Sequence, residues 1–198
     1  MDGPPNAHDA SARFHAVRFY ENKASLCRTV ADFLGEGMAS GQPSLVIATT
    51  AHRDAVLSEL GARQVDVDAL QAAGDLLLLD ARETLATFMV DGMPDAALFN
   101  IHVPAALECV RRGRTDGTIR AYGEMVDVLW QDGLSAAAIR LEMLWNQLAM
   151  THDFSLLCGY AMGSFYKDAG MRAVCAQHSH VLAADNGLNP VAAAAAIN

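Results

Sequence analysis

Groups of mainly aromatic and polar side chains lie at the ends of five short apolar segments of this sequence, and such side chains could bind a ligand. The groups are Phe19–Tyr20–Glu21, Thr49–Thr50–His52, Asp80–Arg82–Glu83, Tyr122–Gly123–Glu124 and Cys158–Gly159–Tyr160. In open parallel α/β sheets, ligands bind at the carboxyl ends of the strands. Because these groups are poor in glycine and lysine, they favour a small, partly apolar ligand over a phosphate group. From them we take as candidate ligand-binding residues Phe19, Tyr20, Glu21, His52, Tyr122, Glu124 and Tyr160.

The first turn lacks the residues of a phosphate loop. In "HAVRFYENKASL", residues 15–26, aromatic and acidic residues stand where a nucleotide-binding turn would carry glycines, and Lys23 is followed by Ala24 and Ser25. The chain contains no GxxxxGK[ST] segment. Asp80, in "LLLLDARE", resembles a magnesium-binding Walker B aspartate. Because the phosphate loop is missing, capping of the following helix is the favoured interpretation.

Two acidic residues on helices are further candidates. Glu142 and Asn146 lie one helical turn apart with Trp145 alongside, so all three become candidate ligand-binding residues if that face meets the sheet. Arg120 is predicted to pair with Glu142 or with Glu124. Glu124 also begins a helix, where its charge could simply act as a cap.

The segment "CAQHSH" contains the metal-competent residues Cys175, His178 and His180. On one continuous helix, Cys175 and His178 share a face, but His180 lies about 140° from His178. A metal site would need the helix to end near Gln177 and a further ligand from elsewhere. We therefore predict no metal and no other cofactor. The chain also has no GxSxG motif, and we assign no catalytic residues.

Apolar runs alternate with helical periodicity along the chain. Strands are predicted at 15–19, 43–50, 75–81, 118–122 and 154–160. Helices are predicted at 25–41, 51–61, 82–89, 95–112, 124–131, 136–150 and 169–180, with Pro104 breaking or kinking the fourth and Ser135 capping the sixth. This alternation predicts a three-layer α/β/α domain with a mainly parallel central sheet of about five or more strands.

Length and composition fit one globular domain. We predict a flexible arm at 1–13, a domain at 14–184 and a flexible tail at 185–198, within a chain of 198 residues. The formal net charge is −9, from 14 Lys+Arg and 23 Asp+Glu, which argues against direct nucleic-acid binding. The sequence has neither a membrane-spanning apolar run nor a hydrophobic signal segment, so a cytoplasmic location is expected. Its four cysteines are expected to be reduced thiols.

Seven segments, in this order, resemble the MEDS family, a methanogen and methylotroph sensory domain of the DcmR type. They are "HAVRFYEN", "VIATTAHRDAV", "LLLDARETLATFMVDG", "YGEMVDVLW", "LEMLWNQL", "FSLLCGY" and "VCAQHSHV", between residues 15 and 181. The family looks like a degenerate relative of the RecA- and KaiC-type ATPases, one that has lost the phosphate loop. The resemblance therefore implies a RecA/KaiC-like fold and a non-catalytic sensor of a small molecule, such as a hydrocarbon derivative.

A sensor with this sequence would relay its signal through a partner protein or its own oligomeric state. Two other functions remain open at this point. One is a nucleotide hydrolase with an unconventional phosphate loop that uses Asp80 and Glu124. The other is a ligand-free interaction module that regulates a kinase or a transcription regulator.

Overall fold

The computed structural model of the protein describes residues 14–114, 117–164, 168–182 and 188–190. The predicted arm at 1–13 lies outside the described residues, as does the predicted tail apart from 188–190. Within the described ranges the chain is an α/β domain whose sheet is covered by helices, as the alternation of apolar segments predicted. None of the helices in these ranges is long and apolar enough to cross a membrane.

Strands and helices alternate through most of the domain. The strands are β1 His15–Tyr20, β2 Ser44–Ala48, β3 Leu76–Asp80, β4 Met89–Val90, β5 Met93–Pro94, β6 Ile119–Gly123, β7 Phe154–Ala161, β8 His180–Leu182 and β9 Leu188–Pro190. The helices are α1 Lys23–Ala39, α2 Thr50–Ala62, α3 Val67–Ala73, α4 Ala81–Ala86, α5 Ala96–Arg111, α6 Met125–Gln131, α7 Ser135–Leu148 and α8 Asp168–Cys175.

The main sheet has the strand order β3-β2-β6-β7-β1-β8-β9. All neighbouring strands from β3 to β8 pair in parallel, and β9 pairs with β8 in the antiparallel direction. The five predicted strands are confirmed as β1, β2, β3, β6 and β7. β1 lies inside the sheet, between β7 and β8, and helices cover both faces of the sheet. The side chains of β1 are therefore buried on both faces.

Each face of the sheet packs against its own set of helices. On one face, Ala16, Tyr20 and Tyr122 join a core with α1 and α2. On the other face, Val17 and Cys158 join a core with α4, α5, α6, α7 and α8. Side chains alternate along a strand, so β1 directs Tyr20 to the first face and its odd-numbered residues to the second.

Side-chain caps fix several helix starts. Asn22 accepts hydrogen bonds from the backbone N–H groups of Ala24, at 2.8 Å, and Ser25, at 3.4 Å. Asp80 accepts from the N–H groups of Arg82 and Glu83, at 2.9 and 3.2 Å, which confirms the capping interpretation of this aspartate.

Two details of the predicted helices were wrong. Ser135 is the first residue of α7 and Leu134 occupies the cap position, with no side-chain cap hydrogen bond. Pro104 does not break α5, which is continuous from Ala96 to Arg111. Val103 and Leu107, on either side of the proline, are buried in the core. This packing offsets the low helix propensity of proline.

Strand pairing replaces helix at two other places. The helix predicted at 82–89 ends at Ala86, and Met89–Val90 instead pairs with Met93–Pro94 across Asp91 and Gly92, which have φ of 50° and 78°. The helix predicted at 169–180 ends at Cys175, and β8 pairs with β1. The backbone of Ser179 already donates to the His15 carbonyl at 2.8 Å, which turns the chain from helix into the sheet.

Candidate functional site

Glu124 connects three elements at the carboxyl end of the sheet. Its Oε1 accepts from the Thr49 backbone N–H at 2.6 Å, and its Oε2 lies 2.6 Å from His52 Nδ1. The Tyr122 hydroxyl donates to the same Oε2 at 3.3 Å. Glu124 occupies the cap position of α6, as the sequence predicted, but its side chain makes no cap hydrogen bond there. The carboxylate instead ties the β2–α2 turn to β6.

Asp127 forms a second network beside it. The Tyr20 hydroxyl and Gln131 Nε2 donate to Asp127 Oδ2 at 2.9 and 2.7 Å, and the Ala161 backbone N–H donates to Oδ1 at 3.0 Å. Burial raises the pKa of Asp127 above its usual range although these three donors oppose the shift. Burial, followed by the charge of Asp127, raises the pKa of Tyr20, so this hydroxyl remains a donor at neutral pH.

An open cleft of about 560 Å³ lies at the end of β1. It combines apolar and charged side chains from β1, α1, α8 and β8. Its lining comprises Arg18, Phe19, Tyr20, Glu21, Asn22, Ser25, Arg28, Met162, Met171 and Leu182. Three of the predicted ligand-binding residues, Phe19, Tyr20 and Glu21, therefore line one cleft, although Tyr20 is largely buried.

A second hollow of about 450 Å³ lies between α1 and α3. It is lined by Gly35, Met38, Ala39, Val65, Asp66, Ala69, Leu70 and Ala73. None of these residues follows a strand of the central sheet, so this hollow lies away from the predicted site.

Four metal-competent residues meet on the opposite face of the sheet, and we call them the His15 cluster: His15, Glu142, Cys158 and His178. All four are buried, and Glu142 is fully excluded from solvent. His15 Nε2 lies 3.1 Å from Glu142 Oε2 and 3.3 Å from Cys158 Sγ. Glu142 Oε1 lies 3.4 Å from His178 Nε2, and Cys158 Sγ lies 3.7 Å from Glu142 Oε2.

Neighbouring polar groups orient the His15 cluster. Asn146 Oδ1 lies 2.8 Å from His15 Nδ1, while its amide nitrogen donates to the Gln177 carbonyl at 2.9 Å. The Tyr160 hydroxyl donates to Glu142 Oε1 at 2.9 Å. His178 Nδ1 lies 2.8 Å from the Val174 carbonyl oxygen.

The surroundings shift several pKa values in the His15 cluster. Burial lowers the pKa of His178 to about 4, although the nearby Glu142 opposes this change. Burial raises the pKa of Glu142, but His178, His15 and Tyr160 outweigh burial and lower it overall. Burial and the neighbouring Glu142 raise the pKa of the Cys158 thiol well above its usual value.

The predicted site residues therefore separate into distinct places. Tyr20, His52, Tyr122 and Glu124 form the networks at the strand ends, whereas Glu142, Asn146 and Tyr160 belong to the His15 cluster or its immediate partners. Trp145 packs in the core, with ring centroids 5.6 Å from both Phe99 and Phe154.

The predicted pairing of Arg120 was wrong. This guanidinium donates to Gln42 Oε1 at 2.8 Å and lies 4.9 Å from the centre of the Phe33 ring. Arg120 therefore packs against α1 on the opposite face of the sheet from Glu142. Its alternation along β6 with Ala121, which belongs to the other core, accounts for this placement.

The metal candidates are likewise divided. His178 joins the His15 cluster, which includes neither Cys175 nor His180. His180 begins β8, and its Nδ1 lies 2.8 Å from Ser179 Oγ.

Sequence reasoning missed His15 and Asp127, and it treated Cys158 only as a strand-end residue. His15 lies at the amino end of β1, whereas ligand-binding residues are expected at the carboxyl ends of parallel strands. The available signal was strand periodicity, since His15 shares a face with Val17, and Cys158 is the residue paired with Val17 in the next strand.

The family comparison covers this same part of the chain. The sequence profile of the MEDS family, described as "MEthanogen/methylotroph, DcmR Sensory domain", matches residues 14–179. The chain belongs to the MEDS family. The resemblance read from the sequence is thereby confirmed, and with it membership of a sensory domain family. No curated protein matches the chain. The matched range contains the His15 cluster and every lining residue of the β1 cleft except Leu182.

Proposed function

We propose that this MEDS domain is a non-catalytic sensor that binds a small molecule in the cleft at the end of β1. The ligand would have an apolar body and an anionic head group. The binding event would pass to a partner protein or to the oligomeric state of the domain. Membership of a sensory family supports the role, and the composition of the cleft supports the ligand class.

The observation that carries this proposal is the mixed lining of the cleft. A volume of about 560 Å³ falls in the range of about 300–1,000 Å³ that is typical of small-molecule sites. Phe19, Met162, Met171 and Leu182 offer apolar surface, and methionine side chains adapt to irregular ligands. Such a lining fits the hydrocarbon-derived ligand that the sequence resemblance implied.

The charges of the lining favour an anionic head group. Among the lining residues that the structure describes, Arg18 and Arg28 carry positive charge and Glu21 carries negative charge. Arg18 Nη2 donates to Ser25 Oγ at 3.2 Å, which places the guanidinium beside the first turn of α1. A carboxylate matches the planar donor geometry of an arginine.

Tyr20 provides a path by which ligand binding could act on the rest of the domain. Tyr20 lines the cleft and also donates to Asp127, whose other oxygen accepts from the Ala161 backbone. A ligand that moves the end of β1 would therefore act on α6 and on the end of β7. A bound state of this kind shifts the conformational equilibrium only if the ligand contacts the two states differently.

The turn after β1 does not support the nucleotide hydrolase alternative. The side chain of Asn22 accepts from the two N–H groups, those of Ala24 and Ser25, that a phosphate would use at the start of α1. Glu21 adds a negative charge beside that position. We therefore expect no ATP binding, with or without magnesium, at millimolar nucleotide.

Calorimetric titrations with hexanoate, hexylamine and ATP–magnesium test the proposal. Hexanoate and hexylamine share an apolar chain but carry head groups of opposite charge, and ATP–magnesium lacks the apolar chain. We expect saturable binding of hexanoate, weaker binding of hexylamine because of the two arginines, and no heat from ATP–magnesium. Met171→Ala should abolish the hexanoate heat, because it removes apolar lining from the cleft.

Met150→Ala is the matched control, since Met150 is 81% exposed and does not line the cleft. It should bind hexanoate like the wild type. Equal loss of hexanoate binding in Met171→Ala and Met150→Ala, or tight ATP binding by the wild type, would contradict the proposed function.

A further inference from the structure

The spacing of the His15 cluster matches that of ligands around a metal ion. Ligand atoms at about 2.0–2.3 Å from a tetrahedral zinc ion lie about 3.3–3.8 Å from one another. The separations of 3.1, 3.3 and 3.7 Å among His15 Nε2, Cys158 Sγ and Glu142 Oε2 are close to this range, and His178 Nε2 lies 3.4 Å from the other carboxylate oxygen, Glu142 Oε1. One donor atom from each of the four residues lies within 4.8 Å of every other. Donor atoms around one tetrahedral zinc ion lie no more than about 3.8 Å apart, so the widest pairs would have to close by up to about 1 Å.

Hydrogen bonds on the far side of each imidazole present Nε2 to the centre of the cluster. Because the amide nitrogen of Asn146 donates to the Gln177 carbonyl, its Oδ1 is left to accept the proton on His15 Nδ1. The Val174 carbonyl accepts the corresponding proton on His178 Nδ1. Metal-bound histidines in proteins commonly donate their second nitrogen in this way.

His178 Nε2 is a buried polar atom without a hydrogen-bond partner among the described residues. The His178 side chain is fully buried, and this nitrogen points to the carboxylate of Glu142, an acceptor-only group when ionised. When His178 is neutral with its proton on Nδ1, its Nε2 lone pair faces the lone pairs of the Glu142 carboxylate with no proton between them. A metal ion at the centre would satisfy both groups together.

The charges of these ligands would also balance. Two neutral imidazoles, one thiolate and one carboxylate carry a total charge of −2, which a divalent cation neutralises inside the core. Binding would convert the Cys158 thiol into a thiolate and release its proton to solvent. The mixture of sulfur, nitrogen and oxygen donors suits zinc-class ions better than magnesium or calcium, which prefer oxygen.

We propose that the His15 cluster binds a single divalent transition-metal ion of the zinc class. With four protein ligands and little solvent access, the site is closed and holds the fold together. The ion would fasten the α8–β8 connection, through His178, to β1, β7 and α7. This metal site is separate from the proposed ligand cleft, and neither proposal depends on the other.

Cobalt titration of the EDTA-treated full chain, without any cleft ligand, tests this proposal. Co²⁺ in a tetrahedral site with a cysteine ligand gives intense visible bands and a near-ultraviolet thiolate-to-cobalt charge-transfer band. We expect both bands to saturate at one equivalent and to disappear when zinc is added. Elemental analysis of wild-type protein expressed with zinc should find the same stoichiometry. A wild type that shows neither band and retains no zinc would overturn the proposal.

Matched variants locate the site. Cys158→Ser should lose the charge-transfer band, whereas Cys27→Ser, which changes a buried cysteine outside the cluster, should keep it. His178→Gln should weaken cobalt binding, whereas His52→Gln should not. Asn146→Ala, which removes the partner of His15, should weaken binding about 10–100-fold. Bands that survive in both Cys158→Ser and His178→Gln would place the metal elsewhere and overturn the assignment.

Discussion

His178 should make the metal-free protein less stable as the pH falls. Burial lowers its pKa from 6.5 to about 4 in the folded state. When the pH falls below 6.5, the unfolded chain binds a proton that the folded chain does not bind, so the free energy of unfolding decreases. At about 1.36 kcal/mol per pKa unit, the full difference corresponds to about 3 kcal/mol. About 2 kcal/mol of it should be lost between about pH 7 and pH 5.

Glu142 and Cys158, the other members of the cluster with shifted pKa values, change protonation in a different pH range. The folded-state pKa of Glu142 lies below its usual value of 4.5, so its stabilising contribution is present above that pH and is lost only below it. The Cys158 thiol stays protonated throughout, because its pKa is raised. Comparison of the wild type with His178→Gln therefore isolates His178 from Asp127, whose raised pKa makes the protein more stable as the pH falls.

Urea unfolding of EDTA-treated protein, followed by tryptophan fluorescence, measures this effect. His178→Gln should remove most of the pH dependence between about pH 6.5 and pH 5, whereas His102→Gln, which changes an exposed histidine on α5, should retain it. If His178→Gln and the wild type lose the same free energy of unfolding between about pH 6.5 and pH 5, the assigned cause is wrong.

Two substitutions test the interior contacts. Glu142→Ala should lower the free energy of unfolding by about 3–5 kcal/mol, because it leaves buried polar partners unsatisfied, whereas Glu108→Ala on the exposed face of α5 should change it by less than about 0.5 kcal/mol. Gly159→Ala should cost about 1–3 kcal/mol, because the new Cβ would lie 3.0 Å from the Tyr122 hydroxyl. Gly163→Ala is its control, since a Cβ there meets no atom within 4 Å. Chemical denaturation at neutral pH measures both pairs, and equal effects in either pair would contradict the packing described.

Local patterns were sufficient to predict most of the fold. The apolar runs of β1, β2, β3, β6 and β7 were visible because a parallel strand buried on both faces is almost continuously hydrophobic. The three-residue strands β8 and β9 are too short to show such a run, and they form through pairing with β1 and with each other. The relation to RecA- and KaiC-type ATPases stays a prediction.

The candidate site was only partly predictable. Tyr20, Glu21 and Glu124 were found because the carboxyl ends of parallel strands share one edge of the sheet. The His15 cluster was not, because its members come from the start of β1, the middle of β7, α7 and the connection after α8. Whether these four residues meet depends on the strand order and on the residue at which α8 ends, and local sequence determines neither of them.

Ligand binding in the β1 cleft can be observed directly by NMR of protein that is labelled with ¹³C on its methionine methyl groups and titrated with hexanoate. The chain has nine methionines, and two of them, Met162 and Met171, line the β1 cleft. We expect saturable shifts of these two methyl signals, with no change at Met150. Shifts confined to Met38, which lines the hollow between α1 and α3, or no shift at any methionine, would contradict the proposed binding in the β1 cleft.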